Sequence, residues 1–577
     1  MDNNTRLVLF LISCMAVLAI GQFFMPQPSP SAAHPGSATP SAGQTTGHSS
    51  TQAVLSTSAT AEKGSFQKTS PKAVDVPARS VTVETDLYTA VFSNEGAVLT
   101  SFELKKYPNR LTKKPVDLVN NDPARPKPFS VVYGNGDWNK VRFQVEGGEG
   151  KLSKGSEPSR LVFRGRDASG AVLTKTFSFK DGSYLVGLDI AADQAGSQAL
   201  AAGPLAIQWA DNMGTEEATG TNSRTTGLRV TTLTGNRIDS QNAKKSKESV
   251  EIAGPVEWTA LANQFFMGAL IPDPSSGSAS VKVVREFNAY KLPTPDDPHP
   301  GLDPSLYDPR PQLIFNAPAL SKGQGFHVKL QAFIGPQEYE LLKSLNLHLE
   351  GVIDFGTFGF ISVYMLKLLK WFYTIGHNWG LAIIFLSVVV KLVLWLPTHN
   401  SYKSMAMTSR KMKEVQPKID ALKRKYPDDK QKQQQEQMRI FQEAGINPLG
   451  GCLPMLFQIP IFWALYATLG HCIELRGASF LWLHDLTLKD PFFVFSLLMG
   501  GTMIIQQKVS GQMATQAAGQ QKMLMWMMPV VLTFVSKDWP SGLLVYWVVT
   551  NVLSMIQQKV VNREIQRALK KEEGGKA

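Results

Sequence analysis

WGLAIIFLSVVVKLVLWL, residues Trp379 to Leu396, decides how the rest of the chain is read. Its eighteen residues, at about 1.5 Å each, give roughly 27 Å, close to the thickness of a bilayer's hydrocarbon core, so the run is expected to span a membrane as a helix. Lys391 interrupts its C-terminal half, and Ser387 lies four residues earlier on the same helical face. An ammonium at that depth costs about 2.5–3.5 kcal/mol on insertion scales. It should therefore face water or a partner, unless it snorkels past Leu396 to the headgroups.

Downstream, Ser401 to Asn447 is dense in Lys, Arg, Gln and Glu, with eleven basic and six acidic residues. Met405, Met412, Val415, Ile419 and Leu422 recur at helical spacing, YPDDK (Tyr426–Lys430) breaks the pattern, and Met438 and Phe441 fall on a second helix. A helical hairpin over 401–446 is expected, bent at Pro417. Its cations Arg410, Lys411, Lys413, Lys423, Arg424 and Lys425 form either a solvated positive-inside loop or a docking arm.

Four more apolar runs follow: Asn447–Leu469, Pro491–Ile505, Met523–Ser536 and Pro540–Ile556. Lys508, Lys522, Lys559, Arg563, Arg567, Lys570 and Lys571 fall on the hairpin's side of these runs, the distribution expected of cytoplasmic segments, including a basic tail at 563–577. Gln458, Thr502, Gln506, Tyr546, Thr550 and Asn551 place polar groups inside the spans, with Tyr546 and Thr550 on one face and Trp547 and Asn551 on another. Together with Lys391 and Ser387 they point to a wet intramembrane cavity. The methionines Met525, Met527 and Met528, with Phe462, suit either gap-filling or a surface that accepts varied apolar shapes.

Upstream, Leu7–Met25 is an apolar run behind Arg6, longer than a signal-peptide core, and is expected to remain as an anchor over 1–25 with its N-terminus in the cytoplasm. Residues 26–78, rich in Pro, Ser, Ala, Thr, Gly and Gln, read as a flexible linker. From 79 to 342 short alternating runs such as VLTKTFSF and YLVGLDIAA, punctuated by Gly, Asn and Asp, predict a large all-β sandwich outside the cytoplasm. Trp209, Trp258 and Tyr290 line a cleft there or, as the expected alternative, fill the core. Phe358, Ile361, Met365, Leu368, Leu369 and Phe372 form one face of an amphipathic interfacial helix over 355–376, and the five-span core covers 377–562.

The whole is therefore expected to be a polytopic α-helical membrane protein, six transmembrane helices in all, with a large all-β sandwich domain outside the cytoplasm. Three cysteines without CxxC spacing and nine scattered histidines give no disulfide framework and no metal site, and no cofactor is expected. The net charge of +12 gathers beside apolar spans, favouring anionic lipid over nucleic acid. No nucleophile, base or paired carboxylates can be placed by spacing, so the chain does not read as an enzyme.

NPLGGCLPMLFQIPIFWALY (Asn447–Tyr466), the Lys391 span, QPKIDALKRKYPDDK (Gln416–Lys430) and PSGLLVYWVVTN (Pro540–Asn551) resemble a YidC-type membrane protein insertase of two-membrane bacteria. VTVETDLYTAVFSNEGAVLTSFELKKYP (Val81–Pro108) resembles the start of that family's periplasmic domain, which implies that the sandwich is periplasmic. The resemblance implies a groove open to the cytoplasm and to lipid, with its cation at Lys391, a hydroxyl at Ser387 and an aromatic at Tyr546 or Trp547. Where the family often carries arginine, Lys391 keeps the charge but lacks the planar five-donor fork. Implied partners are nascent membrane proteins, the Sec translocon, and the ribosome with signal-recognition-particle targeting machinery. The alternative from another class is a small-anion transporter or channel using Lys391, for which paired broken helices in repeated halves are expected but not found.

Overall fold

The computed structural model describes residues 76–574 except 111, 120–124, 134–135, 148–149, 152–158, 168–169, 195–201, 210–212, 214–227, 243–246, 288–306, 428, 447–452 and 511–518. The N-terminal anchor, nearly all of the linker, Tyr290, Cys14 and Cys452 lie outside the described residues.

Residues 80–336 build three antiparallel-rich sheets of five, nine and six strands. Strict alternation sets which side chains face inward. Ala171–Phe179 alternates buried and half-buried positions along its length, and Leu185–Gln194 does nearly the same. The two strands pair Phe177 with Leu188, and Leu185–Gln194 pairs on its other side with Gly325–Pro336, so these three form the centre of the nine-stranded sheet. The six-stranded sheet, centred on Tyr307–Ala317, packs against it through Phe129, Phe177 and Trp209, whose rings meet edge-on at 5.3 and 5.7 Å. Gly268 permits this contact, because a Cβ there would lie 2.0 Å from the Trp209 ring. Trp209 and Trp258 are thus core residues of the sandwich, both at most 1% exposed, and do not line a cleft.

Nine helices are described after the sheets and named here in chain order: α1 (Tyr339–Ser344), α2 (Gly359–Gly376), α3 (Trp379–Val393), α4 (Trp395–Lys425), α5 (Lys430–Glu443), α6 (Leu453–His471), α7 (Val494–Val509), α8 (Gly519–Val535) and α9 (Ser541–Gly574). Helix α2 buries Met365, Leu366, Leu369 and Phe372, while its exposed positions include the apolar Phe360, Tyr364, Trp371 and Ile375, and Lys370 is half-buried in an ion pair with Glu474. Ile383 and Leu386 of α3, Leu465 and Leu469 of α6, Met499 of α7, and Leu543 and Leu544 of α9 close one apolar core.

The run Trp379–Leu396 is not one straight helix. It stops at Val393, and α4 starts at Trp395 with the two axes bent by 67°. Pro397 explains the restart: its missing N–H is harmless only in a helix's first turn, which is where α4 places it. Among the described residues no single helix is long and apolar enough to cross a membrane, and α3 with α4 reaches that length only as a bent pair.

The hairpin helices α4 and α5 pack through Val415, Ile419 and Ile446, with Met412 and Phe441 against them, and the Asp429 carboxylate caps α5 by accepting from the Lys432 amide. At the opposite end the sandwich docks on the helices. Arg110 ion-pairs with Asp485 at 3.0 Å and donates to the Thr487 hydroxyl at 2.7 Å, while Gln264 donates to the Gly470 carbonyl at 2.7 Å.

Candidate functional site

The polar residues inside the apolar helices form a seam along α9. Tyr546, Thr550, Ser554 and Gln558 follow one another every four residues and so share one face. Lys391, in the last turn of α3 and 7% exposed, donates from Nζ to Ser554 Oγ at 2.8 Å. Ser554 in turn donates to the Thr550 carbonyl, and the ammonium lies 5.3 Å from the centre of the Tyr402 ring. Among the described residues no carboxylate pairs with Lys391.

Above it, Gln458 of α6 donates to the Tyr546 hydroxyl at 2.9 Å, and Asn551 of α9 donates to Thr502 Oγ1 of α7 at 2.9 Å. Below it, Gln557 bridges α9 to the start of α4 by donating to the Trp395 carbonyl and bonding Thr398. Gln558 is fully buried with both side-chain atoms unpaired.

The expected groove residues separate into two groups. Lys391, Gln458, Tyr546, Thr550 and Asn551 line or support the seam. Ser387 is fully buried and donates back to the Ile383 carbonyl at 2.7 Å, on α3's packed face. The open choice between Tyr546 and Trp547 also divides: Tyr546 is 1% exposed and held by Gln458, while half-buried Trp547 meets Phe462 and Trp539 at 5.2 and 5.8 Å. Phe462 therefore belongs to an aromatic cluster beside the seam. Met527 is 40% exposed, Met528 packs partly into the core, and the Met525 side chain lies outside the described residues.

Of the hairpin cations, Lys411, Lys413, Arg424 and Lys425 are exposed and Arg410 and Lys423 half-buried. Among the described residues none of the six bonds to a seam residue. Sequence reasoning missed Ser554, Thr398, Tyr402, Gln557 and Gln558. The four-residue spacing Tyr546, Thr550, Ser554, Gln558 on α9 carries the signal for Ser554 inside the apolar run, while Gln557 and Gln558 lie past its end at Ile556 in a helix that continues to Gly574.

The described helices thus carry a seam of polar side chains around Lys391, with the β-sandwich docked on them through Arg110 and Gln264. Residues 371–569 match the family described as 60Kd inner membrane protein, and residues 80–368 match the YidC periplasmic domain. The chain is 32% identical to the Membrane protein insertase YidC of Geobacter sp. (strain M21) over 494 residues, covering 85% of this chain and 86% of that relative. It is 34% identical to the Membrane protein insertase YidC of Nitratidesulfovibrio vulgaris (strain DP4) over 524 residues, covering 87% of this chain and 91% of that relative. Among solved structures it is similar to one titled "Active YidC insertase crystal structure with the first transmembrane domain resolved", at 18% identity and TM-score 0.35, covering 84% of this chain and 93% of that one. The chain belongs to the YidC family of membrane protein insertases, whose work is insertion and not covalent catalysis.

Proposed function

We propose that the chain moves the hydrophilic flank of a nascent membrane protein past Lys391 and releases the adjoining apolar helix into lipid, alone or beside the Sec translocon. The observation that carries this reading is the Lys391 ammonium, held by a hydroxyl and a ring face with no carboxylate partner among the described residues. An acidic client segment supplies the missing counter-charge in a setting where the attraction is weakly screened.

The energetic logic is differential solvation. A polar segment crossing hydrocarbon leaves its backbone groups unpaired, at several kcal/mol each. The hydroxyls and amides of the seam replace water for part of that distance. The sixteen residues of α7 give a helix of only about 24 Å, which thins the bilayer beside it and shortens the rest. The client's apolar helix then leaves along Met527, Met528 and Phe462, and transfer into lipid makes the step favourable.

In this reading the chain spans the inner membrane six times, beginning with the anchor at 1–25. Both termini and the hairpin are cytoplasmic, the hairpin serves ribosome and targeting machinery, and the sandwich is periplasmic. The test is site-specific photocrosslinking to a ribosome-stalled client with an acidic flank. A photoreactive residue at position 550, one turn along the seam from the Lys391 contact, should capture the flank and one at 527 the apolar helix. Adducts at 527 with none at 550 refute a route past Lys391.

A further inference from the structure

Away from the seam, at the end of the helices where the sandwich docks, a polar cleft of about 360 Å³ opens between the α2–α3 turn and the segment 474–479. Its walls are Tyr373, His377, Asn378 and Trp379 on one side and Glu474 and Arg476 on the other. Each is fixed from behind. His377 adopts left-handed backbone (φ 48°) to end α2, and Asn378 caps α3 by accepting from the Leu381 amide. Tyr373 stacks on Trp379 at 4.1 Å. Arg476 donates to the Pro108 carbonyl at 2.8 Å, and Lys370 holds Glu474.

Charges of both signs and a pair of stacked rings thus meet in one cleft of small-ligand size. The turn that forms it is flanked by exposed apolar side chains, Trp371 and Ile375 on α2 and Leu381 and Phe385 on α3. A guest fitting both features is an amphiphile with a zwitterionic phosphate head.

We infer that this cleft binds the phosphoethanolamine headgroup of an outer-leaflet phospholipid. Arg476 and His377 meet the phosphate, Glu474 and the Tyr373–Trp379 pair meet the ammonium, and the acyl chains lie along Ile375, Leu381 and Phe385. The bound lipid fastens the turn between the interfacial helix and the Lys391 helix at headgroup level, where aromatic side chains favour residence. The inference rests on the membrane placement proposed above but not on client passage, and it is read on protein without client.

The experiment uses the full chain in nanodiscs of equal dioleoyl-phosphatidylethanolamine, -phosphatidylglycerol and -phosphatidylcholine, with retained lipid read by native mass spectrometry. Phosphatidylethanolamine should be retained about tenfold over the other two, the equivalent of one charge-assisted hydrogen bond. Arg476→Gln and Glu474→Gln should abolish that preference. Because both also touch neighbouring segments, Ser479→Trp, at an exposed wall position of the same cleft, should abolish it by filling the space alone. Equal retention of the three lipids, or an unchanged preference in Ser479→Trp, overturns the proposal. Displacement of the lipid by equimolar soluble glycerophosphoethanolamine overturns its lipid source.

Discussion

Lys175→Met should change the pH dependence of stability in a direction the structure dictates. Lys175 points into the sandwich from Ala171–Phe179, fully buried, and Nζ donates to the carbonyls of Gly96 at 2.7 Å, Ala97 at 3.2 Å and Phe129 at 2.8 Å. All three acceptors lie on left-handed residues, with φ of 74°, 48° and 69°, so the ammonium straps two tight chain reversals to the central sheet. Burial pushes its pKa from the ordinary 10.5 down to about 7. Between those values the unfolded chain holds a proton that the folded chain does not, so folding stability rises with pH across the window. Below pH 7 both states are protonated and the full penalty, about 5 kcal/mol from the shift, is present and constant.

Methionine removes that term, and it also leaves three buried carbonyls unpaired at about 1–3 kcal/mol each. Near pH 7 the two effects largely cancel. From pH 7.5 to 9.5 the wild type should gain about 2–3 kcal/mol on the variant, widening the difference in Tm by about 5–10 °C for a domain of this size. The assay is thermal unfolding of both full-length proteins across that range. A Tm difference that stays flat, or that widens as pH falls, refutes a Lys175 ammonium destabilised by burial.

Three further outcomes follow from named contacts. Arg110→Ala leaves Asp485 without its cation and should weaken docking by about 2–4 kcal/mol. Faster hydrogen exchange over 476–493 is expected, and unchanged exchange would contradict the bridge. Gly500→Leu should destabilise by about 1–3 kcal/mol, because its Cβ would lie 2.0 Å from Thr533 Oγ1 of α8, whereas Gly501→Leu, facing open space, should leave Tm unchanged. Ser554→Ala deprives Lys391 of its acceptor and should lower insertion of acidic-flank clients in proteoliposomes, with Ser554→Thr restoring it; equal activity of the two variants would remove Ser554 from the account.

Much of this molecule is written in local pattern. VLTKTFSF alternates as a strand should, and Phe358–Phe372 shows its apolar stripe within a residue of where α2 begins. The same alternation also speaks for Lys175, which occupies the inward register of Leu173 and Phe177 and is therefore placed on the buried face by period alone. The break after Val393 was not legible, because apolar composition is indifferent to a bend and only Pro397 hinted at one.

The seam was half legible. Lys391 announced itself, but its partner Ser554 stands 163 residues away, and no periodicity links two helices. Ser387 shares Lys391's face by spacing yet satisfies its hydroxyl within its own helix, a choice that spacing alone does not reveal. The docking of Arg110 on Thr487, across 377 residues, is likewise a product of packing and not of local sequence.

Insertion by the full-length protein in proteoliposomes, with Lys391 exchanged for alanine or glutamate and the client's outer segment made acidic or basic, tests the central claim most directly. Lys391→Ala should impair acidic flanks and spare strongly apolar clients, and Lys391→Glu should turn the preference toward basic flanks. Equal loss for every client, at normal protein levels, would show that the charge at Lys391 does not select what passes it.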